Sequence, residues 1–521
     1  MDLVTLFDHA LEAHRSGDLN TARRIYQRIV KRNPEHASSW MNLGLVHQSL
    51  GATDEALVAL KRAINLAPHH GGAHYNLGNT LRDRGETEAA IAAYKQTLDI
   101  DPEFVDAHNN LGEILMRQED RSVAIDQFRR GLNKQPEHVG LRINLGNALF
   151  HEGEIEEALD QLTEAQKIAP NFAIVYRNLG NILRTSGRIR EAEDTLERAI
   201  ELAPNDASSR VLLAFCKLSA EQFGLGWDAY AWRWVTEEHE PARKFPAPFW
   251  AGESLNNKKL LIWGEQAVGD ELMFSGMYSD FLDVGAEVYV ETEYRLQPLF
   301  QRSFPDFKVF SRRDPPDTNL TNILFDYQIA AGDLGRYLRR SIADFPVSRP
   351  ALIADEQRTT DLRKRYKTYA NGRRLVGLSW QSKNEQAGVQ RSVSLEALRP
   401  LLERPEVLFI NLQYGDTVKE LQKIANFGVD IINDPLINPL EDLDGAAAQI
   451  ASLDLVVTAA NTTAHLSGAM GIPTWVILSK FPDWRWGTSA ATTPWYSSVH
   501  LCRQQKHADW RHPIEAINAI L

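Results

Sequence analysis

Residues 37–70 read ASSWMNLGLVHQSLGATDEALVALKRAINLAPHH, and their skeleton returns every 34 residues along the first two-fifths of the chain. Proline falls at Pro34, Pro68, Pro102, Pro136, Pro170 and Pro204, and alanine at Ala22, Ala56, Ala90, Ala124, Ala158 and Ala192. Glycine keeps the same step at Gly44, Gly78, Gly112, Gly146 and Gly180. A second glycine series runs Gly17, Gly51, Gly85, Gly153 and Gly187, with Glu119 in the one gap. Four series in phase define a repeating helical hairpin. The first glycine series sits inside helix A, where a missing side chain lets helix B pack closely. The second marks the turn between helices, and proline closes each unit because it cannot continue a helix. The units run 3–36, 37–70, 71–104, 105–138, 139–172 and 173–206. Residues 207–234 read as a decayed seventh unit. Its aromatic end (Trp227, Tyr230, Trp232, Trp234) suits a capping helix packed on another domain.

The period is that of the tetratricopeptide repeat (TPR), so an all-α TPR solenoid is expected over 1–206. The usual task of such a solenoid is to hold another protein. Asn42, Asn76, Asn110, Asn144 and Asn178 occupy the sixth position of five successive repeats, on the helix that lines the concave groove. Asparagine is a mediocre helix former. A ladder of amides there can bind an extended acceptor backbone; Asn-Leu-Gly is also a common repeat consensus. Both explanations stand at this stage.

After Trp234 the pattern changes. Pro241, Pro246 and Pro248, with Phe245, Phe249 and Trp250, mark an ordered linker. Strands are expected at 260–264, 287–292, 308–311 and 327–331, then at 375–380, 407–412, 429–432, 455–459 and 474–479. Helices fall between them, among them 270–283, 394–403 and 462–470. Short apolar strands alternating with helices indicate two parallel sheets of Rossmann type. The formal net charge of −12 argues against a nucleic-acid-binding protein. Cys216 and Cys502 stand in no redox or metal spacing. Acidic residues near Met1 and the lack of any long apolar run predict a cytoplasmic protein with no membrane span.

Several segments carry chemistry. In Leu455 to Trp475 a strand ends and small polar residues open a helix, whose N-terminus favours an anion. Asn461, Thr462 and Thr463 can add donors for a phosphate, and His465 lies one turn inside; an ordinary capped helix has the same pattern. Asp270 opens a helix after the first strand of the first sheet, either as a base for an acceptor hydroxyl or as a simple N-cap. Lys383 and Arg391 are loop cations at a carboxyl edge, for a phosphate or for solvent. Gln413 and Tyr414 can contact a base or sugar, and Arg485 among three aromatics makes a wall or lid. Asp99/Asp101 and Asp442/Asp444 lie in contexts unsuited to a metal, and no zinc spacing occurs, so no metal is expected.

Seven strings occur in order from 226 to the end of the chain: Gly-Trp-Asp-Ala-Tyr-Ala-Trp-Arg-Trp (226–234), Gly-Glu-Gln-Ala-Val-Gly-Asp-Glu (264–271), Arg-Ser-Val-Ser-Leu (391–395), Asn-Leu-Gln-Tyr-Gly-Asp (411–416), Asn-Thr-Thr-Ala-His-Leu-Ser-Gly-Ala-Met-Gly (461–471), Asp-Trp-Arg-Trp (483–486) and Pro-Trp-Tyr-Ser-Ser with Arg-Gln at 503–504. With them the chain resembles the bacterial TPR-linked glycosyltransferases, whose catalytic region is a GT-B fold of two Rossmann-like lobes. That region is akin to heptosyltransferases and, more distantly, to O-GlcNAc transferase. The resemblance implies a solenoid at 1–206, capping helices and linker at 207–255, an acceptor-side lobe at 256–350 and a nucleotide-sugar lobe at 351–521. It implies an inverting, metal-independent protein O-glycosyltransferase needing no cofactor beyond a nucleotide-sugar co-substrate. Asp270 and His465 would be catalytic; Lys383, Arg391, Gln413, Asn461, Thr462 and Thr463 would bind the nucleotide and its phosphate; the Asn42–Asn178 ladder would hold the acceptor protein. The layout is similar to flagellin glycosyltransferases, which implies flagellin as acceptor and a CMP-linked nonulosonic acid as donor. One position departs: many relatives carry Asp before Asn-Thr-Thr, and here Ala460 stands there. Two alternatives follow, a TPR adaptor with a degenerate transferase domain and a transferase acting on carbohydrate or lipid.

Overall fold

The computed structural model describes residues 2–236, 241–346, 350–383 and 388–521. Their contacts divide the chain into two compact units, 1–182 and 183–521. The division falls inside the helix Ala173–Thr185 rather than at the expected 206, so the end of the sixth repeat and the seventh belong with the α/β region.

In the first unit each repeat folds as a helix pair, from Leu3–Arg15 with Leu19–Arg32 through Val139–Glu152 with Ile155–Ile168. The repeat glycines do what their positions require. A Cβ added at Gly78 would lie 2.6 Å from the Tyr94 ring, so only glycine lets the two helices of that hairpin meet. The hairpin turns are left-handed, as at Gly51 (φ +74°) and Gly85 (φ +83°), and Glu119 is forced into the same conformation at φ +62°. A side chain in that region costs ~1–2 kcal/mol. Glu119→Gly should therefore raise the stability of this unit by about 1 kcal/mol, net of glycine's greater unfolded-state entropy. Urea unfolding of the variant against the wild type measures it.

The second unit keeps the decayed repeat as a helix pair, Ala207–Ser219 and Phe223–Tyr230, followed by a short 3₁₀ turn Ala231–Val235. Its aromatic end is anchored as its composition suggests. Trp227 lies against Gly335 and donates from Nε1 to the Arg339 carbonyl at 2.9 Å. Trp234 donates to Asp333 Oδ2 at 2.9 Å.

The first sheet holds β1 (Lys259–Trp263), β2 (Glu287–Thr292), β3 (Lys308–Ser311) and β4 (Tyr327–Ala330), all parallel in the order β3-β2-β1-β4. The second holds β5 (Arg374–Ser379), β6 (Val407–Asn411), β7 (Ile431–Ile432), β8 (Leu455–Ala459), β9 (Thr474–Leu478), β10 (Thr492–Thr493) and β11 (Tyr496–Arg503). Its order is β10-β11-β9-β8-β5-β6-β7, with only β10 antiparallel to its neighbour. Each sheet reverses its winding beside its first strand, between β1 and β4 and between β5 and β8. Crevices at such points, outside the carboxyl ends of the strands, are where α/β sheets bind ligands.

Three expectations change. The helix expected at 270–283 is Val268–Phe274 continued as a 3₁₀ segment, Ser275–Phe281. The one expected at 394–403 is confined to Arg399–Leu402, with Pro400 in its first turn. Strands β10 and β11 were not expected: Ser497, Ser498 and His500 break the apolar run of β11. Among the described residues no helix is long and apolar enough to cross a membrane.

Candidate functional site

The loops after β1, β5, β6, β8 and β9 converge on a cleft of about 420 Å³, inside the range of small-molecule sites. Its walls are the carboxyl edges of both sheets. Lys383, Arg391, Arg485 and Arg295 bring four cations to it and Asp270 and Asp483 two carboxylates, a local excess of positive charge in an acidic protein.

Asn461 caps the helix Thr462–Ala469: its Oδ1 accepts from the Thr463 amide at 3.0 Å, and its Nδ2 donates to Ser379 Oγ (2.8 Å) and the Gln381 carbonyl (2.9 Å). It ties the end of β8 to the end of β5 across the switch point. The expected role of Asn461 as a phosphate donor is thus corrected: its amide is engaged within the protein. Thr462 and Thr463 line the cleft, and Thr462 is half-buried at the first position of the helix. Gln413 is corrected likewise. Its Oε1 receives Ser379 Oγ (3.0 Å), the Trp380 amide (2.9 Å) and the Gln381 amide (2.8 Å), so it shapes the β5 loop from beneath and does not line the cleft. Its neighbour Tyr414 lines the cleft and receives the Lys383 amide at 3.1 Å. The Lys383 side chain is exposed and, among the described residues, has no carboxylate partner. Asn384, the next residue of this loop, lies outside the described residues.

His465 lines the cleft with its ring stacked on Trp486 at 4.9 Å and Nδ1 3.0 Å from the Tyr496 hydroxyl. Burial, reinforced by the Arg485 charge, pushes its pKa down to about 3. It is therefore a neutral imidazole, able to donate or accept one hydrogen bond but not to bring a positive charge to an anion. Asp270 is the third residue of the helix Val268–Phe274, whose N-cap is Ala267, so it is not the cap. Arg485 Nε donates to its Oδ1 at 2.9 Å, and a second guanidinium nitrogen reaches the same oxygen. Arg391 is no isolated loop cation either: its guanidinium lies 3.0 Å from Asp483. Arg391 and Arg485 hold the Asp483 carboxyl down to about 2 against its burial.

Asp483 and Arg485 are the residues whose part the sequence least revealed; the Asp-Trp-Arg-Trp string was the signal. The second Asp-x-Asp string serves packing: Asp442 pairs with Arg358 (2.5 Å) and Asp444 with Arg302 (2.7 Å).

Next to Asp270, Glu271 is fully buried. Its Oε2 accepts from Thr292 Oγ1 (2.5 Å) and the Glu293 amide (3.1 Å); among the described residues its Oε1 has no hydrogen-bond partner, with Arg312 at 3.9 Å. Burial raises its pKa from 4.5 to about 7. Below 4.5 the carboxyl is protonated folded or unfolded; between there and 7 only the unfolded chain releases its proton. Its contribution to stability is thus fully present at low pH and lost as pH rises through about 7. Glu271→Gln should remove that slope and gain on the wild type by roughly 2–3 kcal/mol between pH 4.5 and 7.5. Denaturant midpoints across that pH range measure it.

In the solenoid the amide ladder is partly internal. All five asparagines are half-buried. Asn110 donates to Tyr75 Oη (3.1 Å) and Asn79 Oδ1 (2.9 Å), and Asn144 to Asn109 Oδ1 (2.9 Å) and Glu113 Oε1 (2.9 Å). These two rungs join each repeat to the one before. Asn42, Asn76 and Asn178 hold the same register, and among the described residues they make no such pair.

Three family models match the solenoid: Tetratricopeptide repeat at residues 7–71, TPR repeat at 78–119 and Tetratricopeptide repeat at 137–205. Among solved structures, YrrB, described as a TPR protein with an unusual peptide-binding site, is 22% identical with a TM-score of 0.32, covering 35% of this chain and 95% of its own. PilW, a type IV pilus biogenesis factor, is 19% identical with a TM-score of 0.38, covering 40% and 98%. Protein FlbA of Caulobacter vibrioides is 32% identical over 321 residues, 58% of this chain and 52% of FlbA. The chain thus spans about half the length of that curated relative. The match is longer than the repeats, so it takes in part of the α/β unit. The chain carries tetratricopeptide repeats in its N-terminal part and is similar to Protein FlbA over part of its length.

Proposed function

We propose that the chain is a protein O-glycosyltransferase: a two-lobed α/β catalytic region of GT-B type using a nucleotide sugar, with the TPR arm selecting the acceptor. The observation that carries this reading is the cleft at the carboxyl edges of both sheets, with Asp270 on one wall and a helix N-terminus and cations on the other. The donor phosphate lies at the Thr462–Thr463 turn, held by Lys383 and a guanidinium. Asp270 takes the proton of a Ser or Thr hydroxyl, the hydroxyl oxygen bonds to the anomeric carbon, and the bond to the phosphate breaks with its electron pair leaving on the phosphate. One displacement inverts the anomeric centre. The helix dipole and cations stabilise the departing charge without a metal in the step. Flagellin as acceptor and a CMP-linked nonulosonic acid as donor complete the reading by likeness of layout.

Mass spectrometry of flagellin co-expressed with and without this protein tests it. A sugar-mass increment on Ser or Thr, present only with the protein, is expected; none on flagellin or on proteins captured by the solenoid would sink the reading. The Asp270–Arg485 pairing and Ala460 favour one rival, a TPR adaptor whose catalytic domain has decayed. Thermal shift with CMP, UDP, GDP, TDP and ADP separates the two. A ligand at a hundred times its Kd stabilises by ~2.7 kcal/mol, whereas the adaptor responds to none.

A further inference from the structure

Four charged side chains run in alternating sign along the cleft: Asp270, Arg485, Asp483 and Arg391. Arg485 pairs with Asp270 through two nitrogens and stands 3.4 Å from Asp483 Oδ1, while Asp483 Oδ2 is 3.0 Å from Arg391. Arg485 is thus shared between two carboxylates. Its guanidinium lies over the Trp484 indole at 4.6 Å. Trp484 is fixed in turn by Trp227 at 5.6 Å and Tyr230 at 6.1 Å, both from the last helical pair. Stacking holds the plane of the fork, and the fork can change partner. A guanidinium grips phosphate in the same two-point geometry as carboxylate.

Resting on the transferase reading, we propose that Arg485 is an exchangeable clamp: it holds Asp270 until the donor arrives and then passes to the donor's phosphate, which frees Asp270 to accept the acceptor's proton. The Asp270 oxygen that would take a proton already receives two guanidinium bonds. A phosphate at the Thr462 turn competes for the same fork. The donor therefore binds first and the acceptor second, and the base is exposed only once a leaving group is in place.

Competition for one guanidinium gives a signed test. Inorganic pyrophosphate is titrated calorimetrically into the full-length wild type, Asp270→Asn, Arg485→Lys and Arg485→Ala. Asp270→Asn, which keeps shape but drops the competing charge, should bind pyrophosphate about tenfold tighter, equal to ~1.4 kcal/mol. Arg485→Ala should bind at least about tenfold weaker, with Arg485→Lys between it and the wild type. Pyrophosphate binding by the wild type that Asp270→Asn leaves unchanged or weakens would overturn the clamp while leaving the transferase reading in place. The expected order of affinities without sugar transfer to any acceptor would keep the clamp and remove the transferase. No binding by any of the four proteins removes the clamp. Thermal melts confirm that each variant is folded, and Arg485→Lys keeps the test valid if Arg485→Ala is not.

Discussion

Arg233→Ala should destabilise the α/β unit by about 3–5 kcal/mol, the range for removing one partner of a buried ion pair. Arg233 is 2% exposed and Glu265 3%. The guanidinium gives Glu265 two bonds (2.9 and 2.7 Å) and Asp333 one (2.7 Å), and it lies 4.3 Å over the rings of both Tyr230 and Trp234. Alanine leaves two carboxylates in a poorly solvated site. The Gly332 amide at 2.9 Å from Glu265 is too weak to replace the charge. Lysine cannot reproduce the fork, so Arg233→Lys should recover only part of the loss. A double variant, Arg233→Met with Glu265→Leu, should be less harmful than Arg233→Ala, because the more deeply buried carboxylate goes with the guanidinium and only Asp333, which keeps the Trp234 indole donor, loses its partner. The multi-domain chain does not unfold in one step, so a local probe is needed. Tryptophan emission serves, since the guanidinium lies over Trp234, which packs on Trp263 at 5.3 Å. A loss under about 1 kcal/mol, the level of a surface pair, would mean that water reaches Glu265 and Asp333.

That staple shows which parts of the molecule could be read in advance. The solenoid was legible because each repeat restates the same local rule: a small residue where helices touch, glycine at the turn, proline at the end. Strands β1 to β9 were legible as short apolar runs. β11 was not, because Ser497, Ser498 and His500 alternate with Val499 and Leu501, and no continuous run announces a strand inside a sheet. At the site, the positions of Asn461, Asp270 and Lys383 followed from where strands end. What their side chains do did not follow, because the partners lie far off in sequence: Asn461 with Ser379 and Gln381, Gln413 with the β5 loop, Asp270 with Arg485. Local pattern places a residue at an edge; only tertiary contacts show whether its hydrogen-bonding capacity is already taken. The amide ladder repeats the lesson, with Asn110 and Asn144 bonded to the preceding repeat.

Asp270→Asn should lower the turnover of sugar transfer by about 10²–10⁴-fold, the usual worth of a positioned general base. The amide preserves the shape of the carboxylate and cannot take a proton. If Arg485 is exchanged between Asp270 and the phosphate, the same variant should show a donor KM that falls rather than rises. A variant that binds better and turns over far more slowly separates the base from a residue that merely shapes the cleft. His465→Ala should behave differently. The imidazole is neutral down to about 3, so it contributes a hydrogen bond at the cleft and no charge. Its loss should reduce turnover by about 10–100-fold, below the 10²–10³ of a dedicated oxyanion donor. For the same reason the pH–rate profile should show no limb from His465 near neutrality. Initial rates on an acceptor peptide, measured over donor concentration at pH 6 to 9, decide all three points. Full activity in both Asp270→Asn and His465→Ala would dismiss these roles together and hand the proton transfer to another group of the cleft, whereas no transfer by the wild type itself would favour the decayed adaptor.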